Sequence, residues 1–188
     1  IAAALWWIVV REPPRSNIHH GELVSRNNIP FRQVLRNKHL WLVAILLLLH
    51  NLNFYTWTGW TPALLMLKGA TPNLAGLIAS ITIWTGIPTA LFMPRLSYKL
   101  GLRKPFLWVP SILIALAAWG AIYITLPMSW FLMTLAGVVN MTRFTTILAL
   151  PVEMMPRETV GAASGLMISV GYIGAVIGPT IGGHILDI

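Results

Sequence analysis

The sequence predicts an all-α fold, a polytopic bundle of transmembrane helices. Of the 188 residues, 56% are hydrophobic and only 10% are charged, whereas a soluble domain carries about 25% charged residues. Five apolar stretches after residue 38 are long enough to cross a bilayer, which takes about 20 residues of helix. Runs such as residues 45–49 lack the alternation that a barrel strand requires, so we predict helices.

The first element is a short apolar run that leads into a polar linker. Residues 1–10 are apolar and begin without methionine, and the basic residues Arg11 and Arg15 follow the run instead of preceding it. That order is the opposite of a secretory signal. We therefore interpret 1–10 as the end of a preceding transmembrane helix, and the chain as a fragment. Residues 11–38 are rich in Pro, Asn and Ser, which predicts a solvated linker.

The remaining residues, 39–188, are predicted to form a C-terminal transmembrane bundle. Its five full spans are expected at about 40–67, 73–94, 105–126, 129–151 and 159–183. With the end of the preceding helix, this gives five full spanning helices plus part of a sixth. The lipid bilayer is the partner that such a composition requires.

The distribution of Lys and Arg predicts how the spans are oriented. The linker 11–38 carries six, the segment 95–104 four and the segment 152–158 one, whereas the intervening connections hold only Lys68. Positive charge marks the cytoplasmic side, so the three basic segments are expected inside, in a multi-pass protein of the plasma or inner membrane. The formal charge of +8 is thereby assigned to orientation and not to binding of nucleic acid.

The residue inventory excludes several kinds of chemistry. The chain has no cysteine, which removes thiol catalysis and thiolate metal sites. The adjacent residues His19 and His20 fit a solvated loop better than a metal site, because neighbouring residues seldom converge on one ion. None of the five carboxylates lies near the centre of a predicted span, and an enzyme in the bilayer needs such groups in pairs. We expect no enzyme, no metal and no cofactor.

A short basic motif follows the second predicted span. Residues 94–104 read Pro-Arg-Leu-Ser-Tyr-Lys-Leu-Gly-Leu-Arg-Lys, and the residues singled out are Lys99, Gly101, Arg103 and Lys104. Glycine allows a tight turn, and the cations hold the loop at the inner surface. The alternative is that these cations only set the orientation of the protein.

The last predicted span carries a stripe of glycines. Gly174, Gly178 and Gly182 recur every fourth residue, and Gly165 precedes them by nine. A stripe of this kind gives a smooth face on which another helix can approach closely, and Pro179 weakens the backbone hydrogen bonding and permits a bend. Close packing or gating is favoured over contact with a substrate.

Both motifs, and the layout of the whole chain, resemble the major facilitator superfamily. The basic motif is similar to the family's cytoplasmic signature Gly-x-Leu-Ala-Asp-Arg-x-Gly-Arg-Lys, with Pro94 in place of the first glycine and Tyr98 in place of the aspartate. The glycine stripe is similar to a pattern of superfamily antiporters, although it falls in a different helix here. The carriers of the cyanate-permease-like anion type are among those that the chain resembles.

The resemblance covers essentially the whole chain, and it implies an arrangement for the full protein. Residues 1–10 would end the sixth helix, and the five predicted spans would be helices seven to eleven. The fold consists of two six-helix bundles that are parallel repeats. An N-terminal helix bundle of the same protein is therefore expected as a partner of this chain.

Polar residues inside a span are costly in hydrocarbon and mark candidate sites. In the first span His50, Asn53 and Trp57 fall close to one helical face. His50 lies near the midplane, where it would either line a cavity or bond a neighbouring helix, and proton coupling through its imidazole is chemically possible. Gly59 and Pro62 are predicted to kink this helix and to take part in a gate.

The fourth span carries Asn140 and Arg143, three residues apart on one face. A cation in a cavity would attract a carboxylate, cyanate-like or other anionic solute, and paired guanidinium donors suit such groups. We predict that Arg143 and Asn53 face a shared central cavity. A structural role for Arg143 remains the alternative, although Glu153 lies nearly three helical turns away from it.

These residues lead to a functional prediction. The chain is interpreted as part of a secondary active transporter that moves a small, and by the argument from Arg143 anionic, solute across the membrane by alternating access. The alternatives are a channel or a structural membrane protein and, less favoured, a membrane-embedded enzyme. The substrate-binding set predicted from the sequence is His50, Asn53, Trp57, Asn140 and Arg143.

Overall fold

The described part of the protein folds entirely into helices joined by short turns. The computed structural model describes residues 34–102, 104–123 and 125–186, and these contain no strand. The helices are α1 (Lys38–Leu67), α2 (Pro72–Leu100), α3 (Pro105–Tyr123), α4 (Ser129–Met154) and α5 (Arg157–Leu186). The predicted all-α class is confirmed. The helix end at 1–10, most of the linker 11–38 and Arg103 lie outside the described residues.

The boundaries of the first two helices follow from local chemistry. The side-chain oxygen of Asn37 accepts hydrogen bonds from the backbone N–H of His39 at 3.0 Å and of Leu40 at 3.4 Å, which caps α1. Thr71 caps α2 in the same way, with Pro72 in the first helical position. Between the two helices Gly69 adopts a φ of 90°, a left-handed conformation that favours glycine.

Helix α2 runs further than the sequence pattern suggested. The second span was expected to end at residue 94, with a loop over 95–104, but α2 continues to Leu100 with Pro94 inside it. Gly101 ends the helix with a φ of 64°, and its N–H bonds the carbonyl oxygen of Tyr98 at 3.2 Å. Lys99 lies in the last turn, where a cation complements the helix dipole.

Helix α3 is the exception among the five predicted full spans. It has 19 residues and ends at Tyr123, three residues before the predicted end at 126. By length and composition, four helices of the described structure can cross a membrane, namely Lys38–Leu67, Pro72–Leu100, Ser129–Met154 and Arg157–Gly183. The apolar part of α3, Pro105–Ala121, is shorter than these four spans.

The helices pack in pairs around two apolar clusters. α1 lies against α5, α2 lies against α4, and α3 packs on the outside of α4. One cluster joins the first turns of α1 to α4 and α5 through Leu40, Leu47, Ile147 and Met167. The other joins the far end of α1 to α2, α3 and α4. Many large apolar side chains point outward, among them Trp84, which is 70% exposed, as expected for a surface that meets lipid.

Candidate functional site

Between the two apolar clusters lies Arg143, a charged residue that is half-buried. Arg143 of α4 donates from Nε to Nδ1 of His50 on α1 at 2.9 Å. Its Nη1 donates to the hydroxyl of Ser111 on α3 at 3.4 Å. Its Nη2 is buried and has no hydrogen-bond partner in the described part of the chain. One guanidinium therefore links three helices and keeps a donor unused.

His50 is held by rings as well as by Arg143. The imidazole is only 3% exposed. It stacks on Phe54 with the ring centroids 6.1 Å apart and on Phe144 with the centroids 5.4 Å apart. Two further aromatic rings lie nearby, those of Tyr55 and of Tyr172 on α5, with their centroids 6.4 Å apart. The site is thus a set of flat faces around one ring with two nitrogen atoms.

These rings border a cavity of about 210 Å³ between α1, α2, α4 and α5. His50, Phe54, Tyr55, Asn140, Phe144 and Tyr172 are among the residues that line it. Asn140 donates from Nδ2 to the carbonyl oxygen of Ala136 at 2.9 Å, while its Oδ1 is buried without a partner among the described residues. The cavity wall is mostly apolar, with a few polar groups of fixed orientation, as is usual for small-molecule sites.

A second cavity, of about 390 Å³, lies on another face of α1 and is lined by Asn53, Trp57 and Trp60. Asn53 Oδ1 and Trp57 Nε1 are buried and have no hydrogen-bond partner within the described ranges. A third, small space of about 10 Å³ lies where α1, α3 and α4 meet, and Trp57 and Asn140 are among its lining residues. Of the polar groups predicted from the sequence, His50 and Asn140 therefore line the first cavity and Asn53 and Trp57 line the second.

Asn53 and Arg143, which were predicted to face one shared central cavity, do not line the same one of these two cavities. Asn53 lines the second cavity, and Arg143 is among the lining residues of neither. Each residue advances about 100° around a helix, so Asn53 and Phe54 turn to opposite sides of His50. The prediction grouped positions 50, 53 and 57 on one face, but only His50 of these lines the cavity with the aromatic rings, whereas Asn53 and Trp57 line the second cavity.

The residues predicted to act in gating or packing lie along the contact between α1 and α5. A Cβ added to Gly174 would meet the carbonyl oxygen of Leu48, and one added to Gly178 would lie 2.5 Å from the carbonyl oxygen of Leu52. Gly182 faces the indole of Trp60. The backbones approach so closely here that no side chain fits between them. We call this contact the glycine seam.

Two side chains of α1 form hydrogen bonds across the glycine seam. Asn51 donates from Nδ2 to the carbonyl oxygen of Gly171 at 3.0 Å, and Trp60 donates from Nε1 to the carbonyl oxygen of Pro179 at 3.3 Å. Pro62 lies inside α1, which continues to Leu67, and Gly59 has open space where a side chain would point. The helix is therefore uninterrupted at the position predicted to be a gate.

Threonines surround Arg143 on its own helix. Thr142, Thr145 and Thr146 donate from Oγ1 to the carbonyl oxygens of Val138, Met141 and Thr142 at 2.7, 2.9 and 2.7 Å. Each hydroxyl is thus satisfied within α4, without help from another helix. These side chains and the aromatic ones were missed in the sequence because their spacing does not distinguish them from ordinary packing residues.

Two further groups of predicted residues can be placed. In the basic motif, Lys99, Gly101 and Lys104 lie at the end of α2 and in the turn that follows, whereas Arg103 is outside the described residues. Within the part of the chain that the structure describes, no group of three or more His, Asp or Glu side chains is arranged to hold a metal ion.

The apolar helices and the buried polar site define a multi-pass helical membrane protein. Residues 1–179 match the family model of the Major Facilitator Superfamily, and the chain belongs to that family. The resemblance found in the sequence is therefore confirmed.

Two curated proteins are similar to this chain. The 2-nitroimidazole transporter of Escherichia coli (strain K12) is 25% identical over 173 residues, which cover 89% of this chain and 43% of that protein. An uncharacterized protein of Archaeoglobus fulgidus is 29% identical over 85 residues, which cover 45% of this chain and 39% of that protein. The matched segment thus covers less than half the length of either relative. No solved structure matches it.

Proposed function

We propose that the protein is a secondary active transporter that moves a small solute with an anionic or similarly electron-rich group by alternating access. The observation that carries the proposal is Arg143. A guanidinium within a membrane span costs about 2.5–3.5 kcal/mol or more unless it is compensated. Its partners here, His50 and Ser111, are neutral acceptors. The charge is not cancelled by them, so it contributes a positive potential to the adjacent cavity.

The chemistry of one relative supports the same class of solute. The similar Escherichia coli protein is named as a transporter of 2-nitroimidazole. A nitro group and a carboxylate both present oxygen atoms with negative charge or partial charge, which the positive potential of Arg143 in the adjacent cavity favours. On this basis 2-nitroimidazole is the first probe for this protein, and benzoate tests whether a full negative charge is preferred.

The proposal includes an arrangement for the whole protein. In this arrangement the helices α1 to α5 form the C-terminal bundle. An N-terminal bundle of the same protein supplies the other wall of the central cavity. The plasma or inner membrane is the proposed location, with the basic segments on the cytoplasmic side.

Counterflow in liposomes tests the transport mechanism. The full-length protein is reconstituted, unlabelled 2-nitroimidazole or benzoate is loaded inside, and entry of the labelled compound is measured. An alternating carrier accelerates entry when the inside is loaded, whereas a channel does not. Accelerated entry of at least one probe is expected, and Arg143→Met should abolish it. Entry without acceleration, or no entry of either probe, overturns the proposal.

Cysteine labelling tests the orientation. The chain itself has no cysteine, and the structure offers two well-exposed positions, Tyr98 at 78% and Met128 at 57% exposure. In intact cells an impermeant thiol reagent should label Met128→Cys and leave Tyr98→Cys unlabelled until the membrane is opened. Equal labelling of both variants in intact cells contradicts the proposed orientation.

A further inference from the structure

The geometry points to an azole, a flat aromatic ring with one ring N–H and one unprotonated ring nitrogen, as the solute that the 210 Å³ cavity accepts. In this inference His50 and Asn140 are the specificity-determining residues, and Arg143 is a positioning residue that acts through His50. The inference rests on the proposed transport function and names the substrate class of the same site.

The tautomer of His50 is the first step. A guanidinium has five N–H donors and no acceptor. Because Arg143 Nε donates to Nδ1 of His50, that nitrogen carries no proton and the imidazole proton is on Nε2. Protonation of Nδ1 would place two cations in contact at 2.9 Å. Arg143 therefore keeps His50 neutral with one N–H of defined direction.

The second step is that this N–H has no partner within the described residues. His50 lines the cavity, and in the described structure its only hydrogen bond is the one that Nδ1 accepts from Arg143. The Nε2–H group is thus available as a donor to a ligand. It suits an unprotonated ring nitrogen, which accepts one hydrogen bond in the plane of its ring.

The third step is an acceptor on the same cavity wall. Asn140 is 4% exposed and lines the cavity. Its Nδ2 is used on the carbonyl oxygen of Ala136, and this bond also fixes which end of the amide is the oxygen. Oδ1 is buried and unpartnered among the described residues, an arrangement that costs free energy until a donor arrives. A ring N–H is such a donor.

The fourth step is the shape of the cavity. Its wall includes Phe54, Tyr55, Phe144 and Tyr172, and His50 already stacks on two of these rings with interplanar angles of 7° and 23°. Near-parallel faces favour a planar ligand, because aromatic pairs prefer offset stacking. One donor, one acceptor and flat walls together match an azole better than an aliphatic anion.

A series of ligands tests the inference without any change to the protein. Binding to the purified full-length protein is measured by calorimetry for 2-nitroimidazole, 1-methyl-2-nitroimidazole and nitrobenzene. The methyl compound lacks the N–H, and nitrobenzene lacks both ring nitrogens. Each lost hydrogen bond should weaken binding by about tenfold, the effect of roughly 1.4 kcal/mol. Equal affinities for the three compounds overturn the inference, even if all of them are transported.

Variants then assign the donor. His50→Phe keeps a stacking ring and removes the N–H, so it should weaken 2-nitroimidazole about tenfold and leave nitrobenzene unchanged. His50→Gln restores a donor and should recover most of the affinity. The matched control is His39→Phe, the same substitution on the exposed first turn of α1. Normal counterflow of 2-nitroimidazole by His50→Phe, with unchanged affinity, contradicts the role of His50 and leaves the transporter function standing.

The positioning role of Arg143 has its own readout. With ¹⁵N-labelled histidine, the chemical shifts of the two imidazole nitrogens report which one carries the proton. The Nε2–H form is expected for His50 in the natural protein, and a mixture of both forms in Arg143→Met. A single Nε2–H form in both proteins shows that Arg143 does not set the tautomer.

Discussion

Helix α1 makes two contacts that are built in opposite ways. Towards α5 it meets the glycine seam, where the backbone of one helix lies directly against the other. Towards α4 the contact is a hydrogen bond between the imidazole ring of His50 on α1 and the long, charged side chain of Arg143 on α4. The first contact depends on the absence of side chains, and the second depends on two particular ones. One helix is thus fixed on one side by shape and on another side by chemistry.

The two designs respond differently to substitution. Backbone atoms at the glycine seam cannot move aside independently, so added volume must separate the helices. At the contact with α4 the side chains are long, and groups such as Arg143 Nη2 are not yet bonded within the described residues. Changes at the glycine seam should therefore mainly reduce stability, whereas changes beside Arg143 should mainly alter binding.

The largest expected effect is at the centre of the glycine seam. Gly174→Leu places a side chain against the carbonyl oxygen of Leu48. The loss of unfolding free energy should therefore exceed the usual overpacking cost of about 1–3 kcal/mol. We expect loss of the monodisperse folded protein in detergent, measured by size exclusion. Gly165→Leu is the matched control, because no atom beyond its chain neighbours and the adjacent backbone of its own helix lies within 4 Å of the position of its Cβ. Equal loss in both variants would show that helix propensity, and not the close contact, is responsible.

A smaller effect is expected at Asn51, which is 2% exposed. Asn51→Ala removes the hydrogen bond to Gly171 and leaves a small void. The free energy of unfolding should fall by about 1–2 kcal/mol, measured by denaturation in mixed micelles. Thr58→Ala serves as the control, since the hydroxyl of Thr58 bonds only within its own helix. A fall in Thr58→Ala as large as that in Asn51→Ala would contradict the assignment.

Trp60 should contribute less than Asn51. Trp60→Phe keeps an aromatic ring against Gly182 and loses the bond from the indole to Pro179. The expected loss of unfolding free energy is about 0.5–1 kcal/mol, seen in the same denaturation experiment. Trp119→Phe is the control, because Trp119 is 66% exposed. Equal changes in the two variants would remove the hydrogen bond as the cause.

The smallest effect is expected at Ser111 of α3, beside Arg143. Ser111→Ala removes a long hydrogen bond of 3.4 Å to Arg143, so the unfolding free energy should change by about 0.5 kcal/mol or less. The solute affinity should change more than the stability does, because Arg143 then loses one of its two anchors. A large loss of stability with unchanged affinity would reverse the contrast between the two contacts.

Local sequence signals predicted most of the fold, and non-local contacts explain what they missed. The apolar stretches, the turn at Gly101 and the glycine spacing could be recognised in the sequence because each depends only on residues that are close together in the chain. The end of α2 was misplaced because the basic segment 95–104 was assigned to a loop, whereas the helix continues past Pro94 to Leu100. α3 was expected to be longer because the apolar pattern continues beyond Tyr123.

The candidate site was predictable in part. His50 and Arg143 were recognisable because polar groups inside a span are rare. Their hydrogen bond joins residues 93 positions apart, and it depends on the rotation of two helices about their axes, which no local pattern encodes. The same rotation decides that Phe54 and not Asn53 shares the cavity of His50.

The threonines around Arg143 have a mechanical consequence. The hydroxyls of Thr142, Thr145 and Thr146 each donate a hydrogen bond to a backbone carbonyl oxygen four residues earlier in α4. In an α-helix that oxygen also accepts a hydrogen bond from a backbone N–H, so it has two donors. Shared acceptors weaken the individual backbone bonds and allow a helix to curve, as threonine does in membrane helices. We therefore expect α4 to flex most easily at the turn that carries Arg143, while its two ends remain anchored in the apolar clusters.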